Sequence, residues 1–257
     1  MRRLLLAALL IAPLASHADE CKFQAPRNLT LDLAGVREVQ VDLHSHDLHL
    51  NGSTGAGGAI TGRACASDAK LLDDLTVTQR REGDRLIVEV GNHSHITISL
   101  FKSSYTSLEL NMQMPSQIPV VLNVGSGDAW VSGFQRLTTQ VGSGDLHVSK
   151  ITGPFSASVG SGDVEVHEVG SLDMGSVGSG DVKVDSVHGD ARFGSVGSGD
   201  VTVRGVDGSV RVDTLGSGDL RVRDVRGDFS VGAKGSGDVS HSGVQGKVNV
   251  PHDRDDD

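Results

Sequence analysis

Apolar and polar residues alternate along most of this chain, and in its second half the alternation repeats with a nearly fixed period. The tetrapeptide Gly-Ser-Gly-Asp occurs seven times, with successive copies 17, 18, 18, 19, 19 and 19 residues apart. The copies end at Asp128, Asp145, Asp163, Asp181, Asp200, Asp219 and Asp238. A period of this length predicts a solenoid in which each repeat forms one turn.

Alignment of the repeats on these aspartates gives columns of one residue type. The first and third residues after the aspartate are apolar in most repeats, as at Val164 and Val166, whereas the residue between them is polar, as at Glu165. This period of two predicts a strand with one buried face. A second glycine turn, as at Gly189, precedes another apolar alternation. Each rung should therefore contain two strands that pair in parallel with the rungs on either side.

The first half also alternates, but without a fixed period. Strands are predicted at Leu29–Leu33, Val39–Leu50, Ala59–Ala66, Leu75–Gln79, Leu86–Val90, Ile96–Leu100, Ser107–Met114 and Val120–Val124. This segment either begins the solenoid as irregular rungs or forms a small sheet that caps its open end. We therefore predict an all-β protein, with an N-terminal β segment at residues 19–123, a parallel β-solenoid of about 18–19 residues per rung at 124–250, and an acidic disordered tail at 251–257.

The N-terminus has the pattern of a targeting sequence. Arg2 and Arg3 precede an apolar run over Leu4–Leu14, and small residues lead to a cleavage site before Asp19. This pattern predicts a signal peptide over residues 1–18, and hence a periplasmic or secreted protein. No later stretch has the length and apolarity expected of a transmembrane segment.

The two cysteines of the chain are Cys21 and Cys65. Export implies an oxidising compartment, so we expect them to form a disulfide, with two buried free thiols as the alternative. The formal net charge is −10, which makes the chain a poor partner for nucleic acid. Aromatic residues are only 3% of the chain while glycine numbers 34, which favours a thin interior of small side chains.

A family resemblance rests on the passage from Met114 through Val120–Val124 to Val131, followed by the Gly-Ser-Gly-Asp-Val repeats. This passage resembles a large bacterial family of exported β-strand-repeat proteins of unknown function, related to adhesin-like head (GIN-type) domains. The resemblance covers about residues 30–250. It implies a β-helix-like solenoid with an adhesin-like role, and it supplies no catalytic residue.

The repeated aspartates are the most conspicuous candidate site. Parallel stacking would place their carboxylates about 5 Å apart along one corner. In the favoured interpretation each aspartate accepts hydrogen bonds from turn amides or the serine hydroxyl, and the glycines on both sides of the serine provide positive φ angles. Alternatively the ladder binds Ca²⁺ or another ligand through Asp145, Asp163, Asp181, Asp200 and Asp219. The spacing differs from the Gly-Gly-x-Gly-x-Asp pattern of repeat-in-toxin proteins.

Histidines form a second candidate site. His44 and His46 occupy one predicted strand together with His49, and His93 and His95 lie in another segment. If the two segments were neighbours, their imidazoles could bind Zn²⁺ or Cu²⁺. The favoured alternative is a solvated polar face, because simple alternation in an exposed strand also produces this spacing.

Catalytic motifs such as a nucleophile elbow, His-Glu-x-x-His or a phosphate loop do not occur in the sequence. We therefore predict a non-catalytic scaffold or adhesin-like module of the cell envelope, without a cofactor and monomeric, that binds an unknown protein or glycan. The candidate binding surface comprises the outward residues Trp130, Glu165, Lys183 and Arg221. For Trp130, capping of the first regular rung is the alternative. A metal-binding solenoid and, less favoured, a glycan-acting enzyme are the other functional interpretations.

Overall fold

The computed structural model describes residues 21–92 and 104–251. The strands of the first half are β1 (Phe23–Pro26), β2 (Leu29–Thr30), β3 (Glu38–Leu43), β4 (Asp47–Ser53), β5 (Ala59–Ala66), β6 (Leu75–Glu82), β7 (Arg85–Asn92), β8 (Thr106–Pro115) and β9 (Val120–Val124). A short helix, α1 (Ala69–Asp74), lies between β5 and β6 and was not predicted. The predicted signal peptide, His93, His95, the strand at Ile96–Leu100 and tail residues 252–257 lie outside the described residues.

Twelve further strands form the repeats. They are β10 (Ala129–Ser132), β11 (Leu137–Val141), β12 (Leu146–Val159), β13 (Val164–Val177), β14 (Val182–Val187), β15 (Ala191–Val196), β16 (Val201–Val206), β17 (Val210–Leu215), β18 (Leu220–Val225), β19 (Phe229–Lys234), β20 (Val239–Val244) and β21 (Val248–Asn249). All of them pair in parallel with equivalent strands of neighbouring rungs, and the last two, β20 and β21, pair with the preceding rung. The predicted parallel β-solenoid is therefore confirmed.

The rungs build two walls around one core. The first wall contains β8, β4, β10, the first halves of β12 and β13, and then β14, β16, β18 and β20. The second wall contains β7, β3, β9, β11, the second halves of β12 and β13, and then β15, β17, β19 and β21. Because the register is in phase, equivalent residues of successive repeats lie directly above one another, as Val182 does above Val164.

The N-terminal segment both begins the solenoid and caps it. Strands β3 and β4 form a rung that lies between the β7–β8 rung and the β9–β10 rung. Two antiparallel strands, β5 against β8 and β6 against β7, then cover the end of the stack. The prediction of one strand over Val39–Leu50 is wrong, because His44–His46 form a corner between β3 and β4.

The core is a stack of small apolar side chains with a few large ones. Valine columns such as Val164, Val182 and Val201 have no solvent exposure. Four phenylalanines are also fully buried: Phe134, Phe155, Phe193 and Phe229. Each buried side chain of this size contributes about 1.5–3 kcal/mol, so the repeated columns account for much of the stability of the stack.

The predicted disulfide is confirmed, since Cys21 is bonded to Cys65 across 44 residues. Cys21 lies two residues before the start of β1, and β1 pairs antiparallel with β5, which carries Cys65. The bond therefore fastens the N-terminal strand to the antiparallel cap of the solenoid.

The glycines of the repeated corner have a different role from the one predicted. They are absent from the glycines with positive φ, so left-handed backbone does not explain them. Instead, a Cβ on Gly162 would lie 1.8 Å from the carbonyl oxygen of Gly144 in the rung below, and Gly199 has the same relation to Gly180 at 1.9 Å. Close packing of backbone on backbone therefore requires the second glycine of each corner.

Candidate functional site

The repeated aspartates form a continuous hydrogen-bonded ladder. In every repeated aspartate before the last, Asp238, the Oδ1 atom accepts a hydrogen bond from the backbone N–H of the equivalent aspartate one rung later. The distance is 3.1 Å from the N of Asp163 to Asp145 and 2.8 Å from the N of Asp181 to Asp163. The favoured interpretation is thus supported in outline, although the donor lies in the next rung and not in the same turn.

The ladder also has a member that the sequence analysis missed. The N–H of Asp128 donates to Oδ1 of Asp47 at 3.3 Å, which makes Asp47 the first carboxylate of the series. The signal was present in the sequence, because residues 44–50 read His-Ser-His-Asp-Leu-His-Leu and residues 142–148 read Gly-Ser-Gly-Asp-Leu-His-Val. The early corner therefore repeats the motif with histidines in the two glycine positions.

Arg221 belongs to this ladder more than to a free binding surface. Its guanidinium donates to Asp200 at 3.2 Å and to Asp219 at 2.9 Å. The pKa of the Asp200 carboxyl is lowered, chiefly because the backbone N–H of Asp219 donates to it and further because Arg221 lies beside it. The cation therefore offsets part of the repulsion between two stacked carboxylates.

A smaller ladder of the same type runs along the second corner and was not predicted. The N–H of Ser209 donates to Asp190 at 2.8 Å, and the N–H of Lys247 donates to Asp228 at 2.7 Å. Short polar side chains after the second glycine turn thus perform the same backbone-capping task as the repeated aspartates. In the sequence, the position of these residues directly after a glycine was the feature that could have predicted this ladder.

The histidines predicted as metal ligands do not share one face. His46 is buried with 3% exposure, whereas His44 lies at the surface with its Nδ1 atom 3.0 Å from the carbonyl oxygen of Val90. Within residues 21–92 and 104–251, no three His, Cys, Asp or Glu side chains come together in a way that could hold a metal ion. The described residues therefore give the metal-site hypotheses no support.

A groove on the first wall brings together three of the four residues predicted as a binding surface. It has a volume of about 400 Å³, and Trp130, Glu165 and Lys183 line it. These residues hold the same outward position in β10, β13 and β14, so the parallel register places them in one column along the solenoid axis. Arg221 continues this column beyond the groove.

The start of this column is a stack of three rings. His49 of β4 lies 4.5 Å from Trp130, measured between ring centroids, with an angle of 12° between the ring planes. His147 of β12 lies 5.5 Å from Trp130 on the other side, with an interplanar angle of 8°. Trp130 is therefore covered on both faces, and it presents ring edges rather than an open face to the groove. It also lies within the stack, so the interpretation of Trp130 as a cap of the first rung is wrong.

The opposite side of the groove is formed by polar side chains two residues further along the same strands, two of them serines. They are Asn51, Ser132, Ser149, His167 and Asp185. The hydroxyl of Ser149 donates to that of Ser132 at 3.0 Å. Because serine is much smaller than the indole and imidazole rings beside it, the wall is indented at this level and the groove opens there.

The charged side chains of the groove form ion pairs with each other or with a neighbouring residue. Glu165 lies between His147, whose Nδ1 atom is 3.2 Å from its carboxylate, and Lys183, whose Nζ atom is 3.5 Å away. Asp185 on the other side is 3.9 Å from Arg204. These pairs are exposed to solvent and contribute little to stability. Their main consequence is that the groove presents many polar groups with little excess charge.

A second groove of about 610 Å³ lies on the second wall and is lined by residues that include Asp42, Asn123 and Gln140. Two of its polar residues, Asp42 and Asn123, are bonded to each other, and Gln40 beside them joins the network. Asn123 donates to the carboxylate of Asp42 at 2.6 Å, and Gln40 donates to the same carboxylate at 3.0 Å. Polar groups are also paired in the groove on the first wall, but that groove contains the three-ring stack as well, which makes it the better candidate for binding an external ligand.

Comparison with known proteins places the chain in a family. Residues 36–255 match the family model described as Toastrack DUF4097. The chain belongs to this family. No curated protein matches the sequence significantly.

Solved structures share the fold of this Toastrack protein at low sequence identity. A candidate adhesin from Bacteroides fragilis NCTC 9343 has a TM-score of 0.54 and 12% identity, over 90% of this chain and 98% of that one. A candidate adhesin from Parabacteroides distasonis ATCC 8503 has a TM-score of 0.53 and 13% identity, over 89% and 97%. A candidate lipid-binding protein from the same strain has a TM-score of 0.51 and 17% identity, over 88% and 97%. At these identities the likeness establishes the fold alone.

The groove of this Toastrack protein was only partly visible in the sequence. Its first side was identified from the outward column two residues after the repeated aspartates, although His49 and His147 were not assigned to it. Its second side was missed, yet the column four residues after each aspartate was available to find it.

In the part of the chain that the structure describes, no helix is long and apolar enough to cross a membrane.

Proposed function

We propose that this Toastrack protein is an exported, non-catalytic module of the cell envelope, which binds a protein or glycan partner along the groove of the first wall. The observation that carries the proposal is the groove itself. It joins a three-ring stack to a row of polar side chains on a rigid parallel scaffold. Such a scaffold holds binding groups in place before the partner arrives, which lowers the entropic cost of association.

We favour a binding role over a catalytic one because the carboxylates of the groove lie in ion pairs. Glu165 is engaged by both His147 and Lys183, and Asp185 lies beside Arg204. Carboxylates held in exposed ion pairs suit contacts with a partner better than proton transfer. The description of two proteins with this fold as candidate adhesins agrees with a binding module.

Export is supported by the disulfide as well as by the N-terminal sequence. The Cys21–Cys65 bond forms and persists in oxidising compartments, such as the periplasm or the cell exterior. We therefore propose that the mature protein, cleaved before Asp19, resides in the periplasm or outside the cell.

The test is binding of the purified mature protein to the envelope fraction of its native host. The double variant Trp130→Ala/Lys183→Ala should bind at least about tenfold more weakly, because central aromatic and charged contacts usually carry most of the binding free energy. Thr202→Ala is the matched control, since Thr202 follows Lys183 in the same outward column but lies outside the groove.

Thr138→Ala provides a second control on the second wall, where Thr138 is exposed in β11. Both controls should bind like the wild type, and all variants should keep the wild-type melting temperature to within a few degrees. Unchanged binding by the folded double variant would refute the assignment of the groove. Failure of the wild-type protein to bind any envelope component would refute the binding function.

A further inference from the structure

The chemistry of the groove indicates what kind of partner it accepts. Trp130 is sandwiched between His49 and His147, so the ring faces are taken up by one another. Ring edges carry positive partial charge, and indole and imidazole edges also carry N–H groups. This side of the groove therefore suits oxygen atoms of a ligand and offers no open apolar platform.

The opposite side requires a ligand that both donates and accepts hydrogen bonds. It presents the amide of Asn51, the hydroxyls of Ser132 and Ser149, the imidazole of His167 and the carboxylate of Asp185. Amides, hydroxyls and imidazoles act as donors and as acceptors, whereas a carboxylate only accepts. Hydroxyl groups satisfy all of these partners, because each hydroxyl can donate and accept at once.

Length and repetition point to a chain molecule. The groove crosses five successive strands of the first wall, from β4 to β14. With strands about 4.8 Å apart, it extends roughly 19 Å along the solenoid axis. Since each rung contributes one side chain to each side, the polar groups recur at every step, which suits a polymer with a repeating unit.

Charge argues against a polyanionic ligand. The groove carries Glu165 and Asp185 beside Lys183, and it lies next to the carboxylates of Asp145 and Asp163. The whole chain has a formal net charge of −10. A strongly acidic polymer would therefore be repelled as it approached.

We infer that the groove binds a linear, uncharged, hydroxyl-rich glycan whose chain runs along the solenoid axis from His49 towards Lys183. This inference rests on the proposed function and narrows its partner to one class. A protein partner would need an apolar pocket for an anchoring side chain, and a lipid tail would need an apolar groove. The side chains on the two sides of this groove carry polar groups instead, and the valines between them, Val131, Val148 and Val166, are buried.

The deciding probe is the glycan fraction of the native host envelope, prepared by exhaustive protease digestion followed by detergent extraction. Trp130 is the only tryptophan in the chain, so its fluorescence reports directly on occupation of the groove. The wild-type protein should bind this fraction with the affinity it shows for the untreated envelope, and the emission of Trp130 should change on binding. Binding should change less than about twofold between 50 and 500 mM salt, because an uncharged ligand is not affected by screening.

Two variants separate loss of the groove from loss of the fold. Ser149→Arg inserts a long side chain into the groove without removing any ring, and it should weaken binding about tenfold while Trp130 stays in its stack. Trp130→Phe keeps a stacked ring but removes the indole N–H, so it should weaken binding less than Trp130→Ala. Thr202→Ala again serves as the unaffected control.

Each contrary outcome is distinct. Binding that disappears after protease digestion would identify a protein partner, and binding that disappears on detergent extraction would identify a lipid. A decrease of tenfold or more with added salt would identify a charged polymer. Any of these results would overturn the glycan inference but leave the binding function intact. Only a wild-type protein that fails to bind the untreated envelope would overturn both.

Discussion

At the residue scale, the repeated tetrapeptide serves the stacking of rungs, and its aspartate and its second glycine have separate tasks. The aspartate accepts a hydrogen bond from the next rung, as Asp163 does from Asp181. The second glycine is buried, and it leaves room for the carbonyl group of the rung below. The repeated, charged motif suggested a ligand site as an alternative. Hydrogen bonding explains the aspartate and close packing explains the second glycine, so neither residue requires a ligand.

Gly162→Ala should destabilise the protein by about 1–3 kcal/mol, the usual cost of forcing extra atoms into a packed interior. The reason is the 1.8 Å separation between the added Cβ and the carbonyl oxygen of Gly144. Chemical denaturation would measure the change in the free energy of unfolding. Gly57→Ala is the control, because a Cβ at Gly57 meets no atom within 4 Å; equal stability of the two variants would contradict the packing account.

At the element scale, every repeat turns its corner at a residue with left-handed backbone, five positions after the repeated aspartate. Glycine occupies this position three times, at Gly133, Gly205 and Gly243, with φ between 67° and 82°. The other four repeats place non-glycine residues there: Lys150 (φ 56°), Glu168 (φ 62°), Ser186 (φ 66°) and Asp224 (φ 56°). The residues directly before and after each of these positions pair in parallel with neighbouring rungs. This pairing holds the left-handed residues in a conformation that costs roughly 1–2 kcal/mol for most side chains.

Lys150→Gly should therefore stabilise the protein by about 0.5–1 kcal/mol, since relief of the strain exceeds the extra chain entropy that glycine loses on folding. Asp224→Gly should stabilise less, because aspartate tolerates left-handed backbone better than lysine does. Lys183→Gly, in the extended strand β14, is the matched control and should destabilise. Melting temperatures would show the order of stability of the three variants. A lower melting temperature for Lys150→Gly than for the wild type would refute the claim that Lys150 is strained.

At the scale of the whole molecule, the solenoid is protected at its N-terminal end by an antiparallel cap. Strands β5 and β6 reverse direction and cover the β7–β8 rung, and the Cys21–Cys65 bond fastens β1 to β5. The repeats beyond the cap contact their nearest neighbours in the stack. Stability in such a stack is close to a sum of local contributions, so damage to the cap should remain local.

Replacement of both cysteines by serine should lower the free energy of unfolding by about 3–4 kcal/mol, the value expected for releasing a loop of 44 residues. Hydrogen exchange should show faster exchange in β1, β5 and β6, while β14–β19 keep their protection. Uniform loss of protection along the chain would instead show that the cap and the repeats unfold as one unit.

The sequence by itself determined the repeats, because period-two alternation and a fixed spacing depend on local chemistry that any single copy displays. It predicted the inward columns, the disulfide and most of one side of the groove, including Trp130, Glu165 and Lys183. It could not reveal that β3 and β4 enter the stack between β7–β8 and β9–β10, since chain order and spatial order differ there. The motif around Asp47 assigns His49 to the outward column, but for the same reason it could not show that His49 stacks on Trp130, which lies 81 residues further along the chain. Only the tertiary structure decided the ring stack and the groove, because both require side chains from distant segments to meet in register.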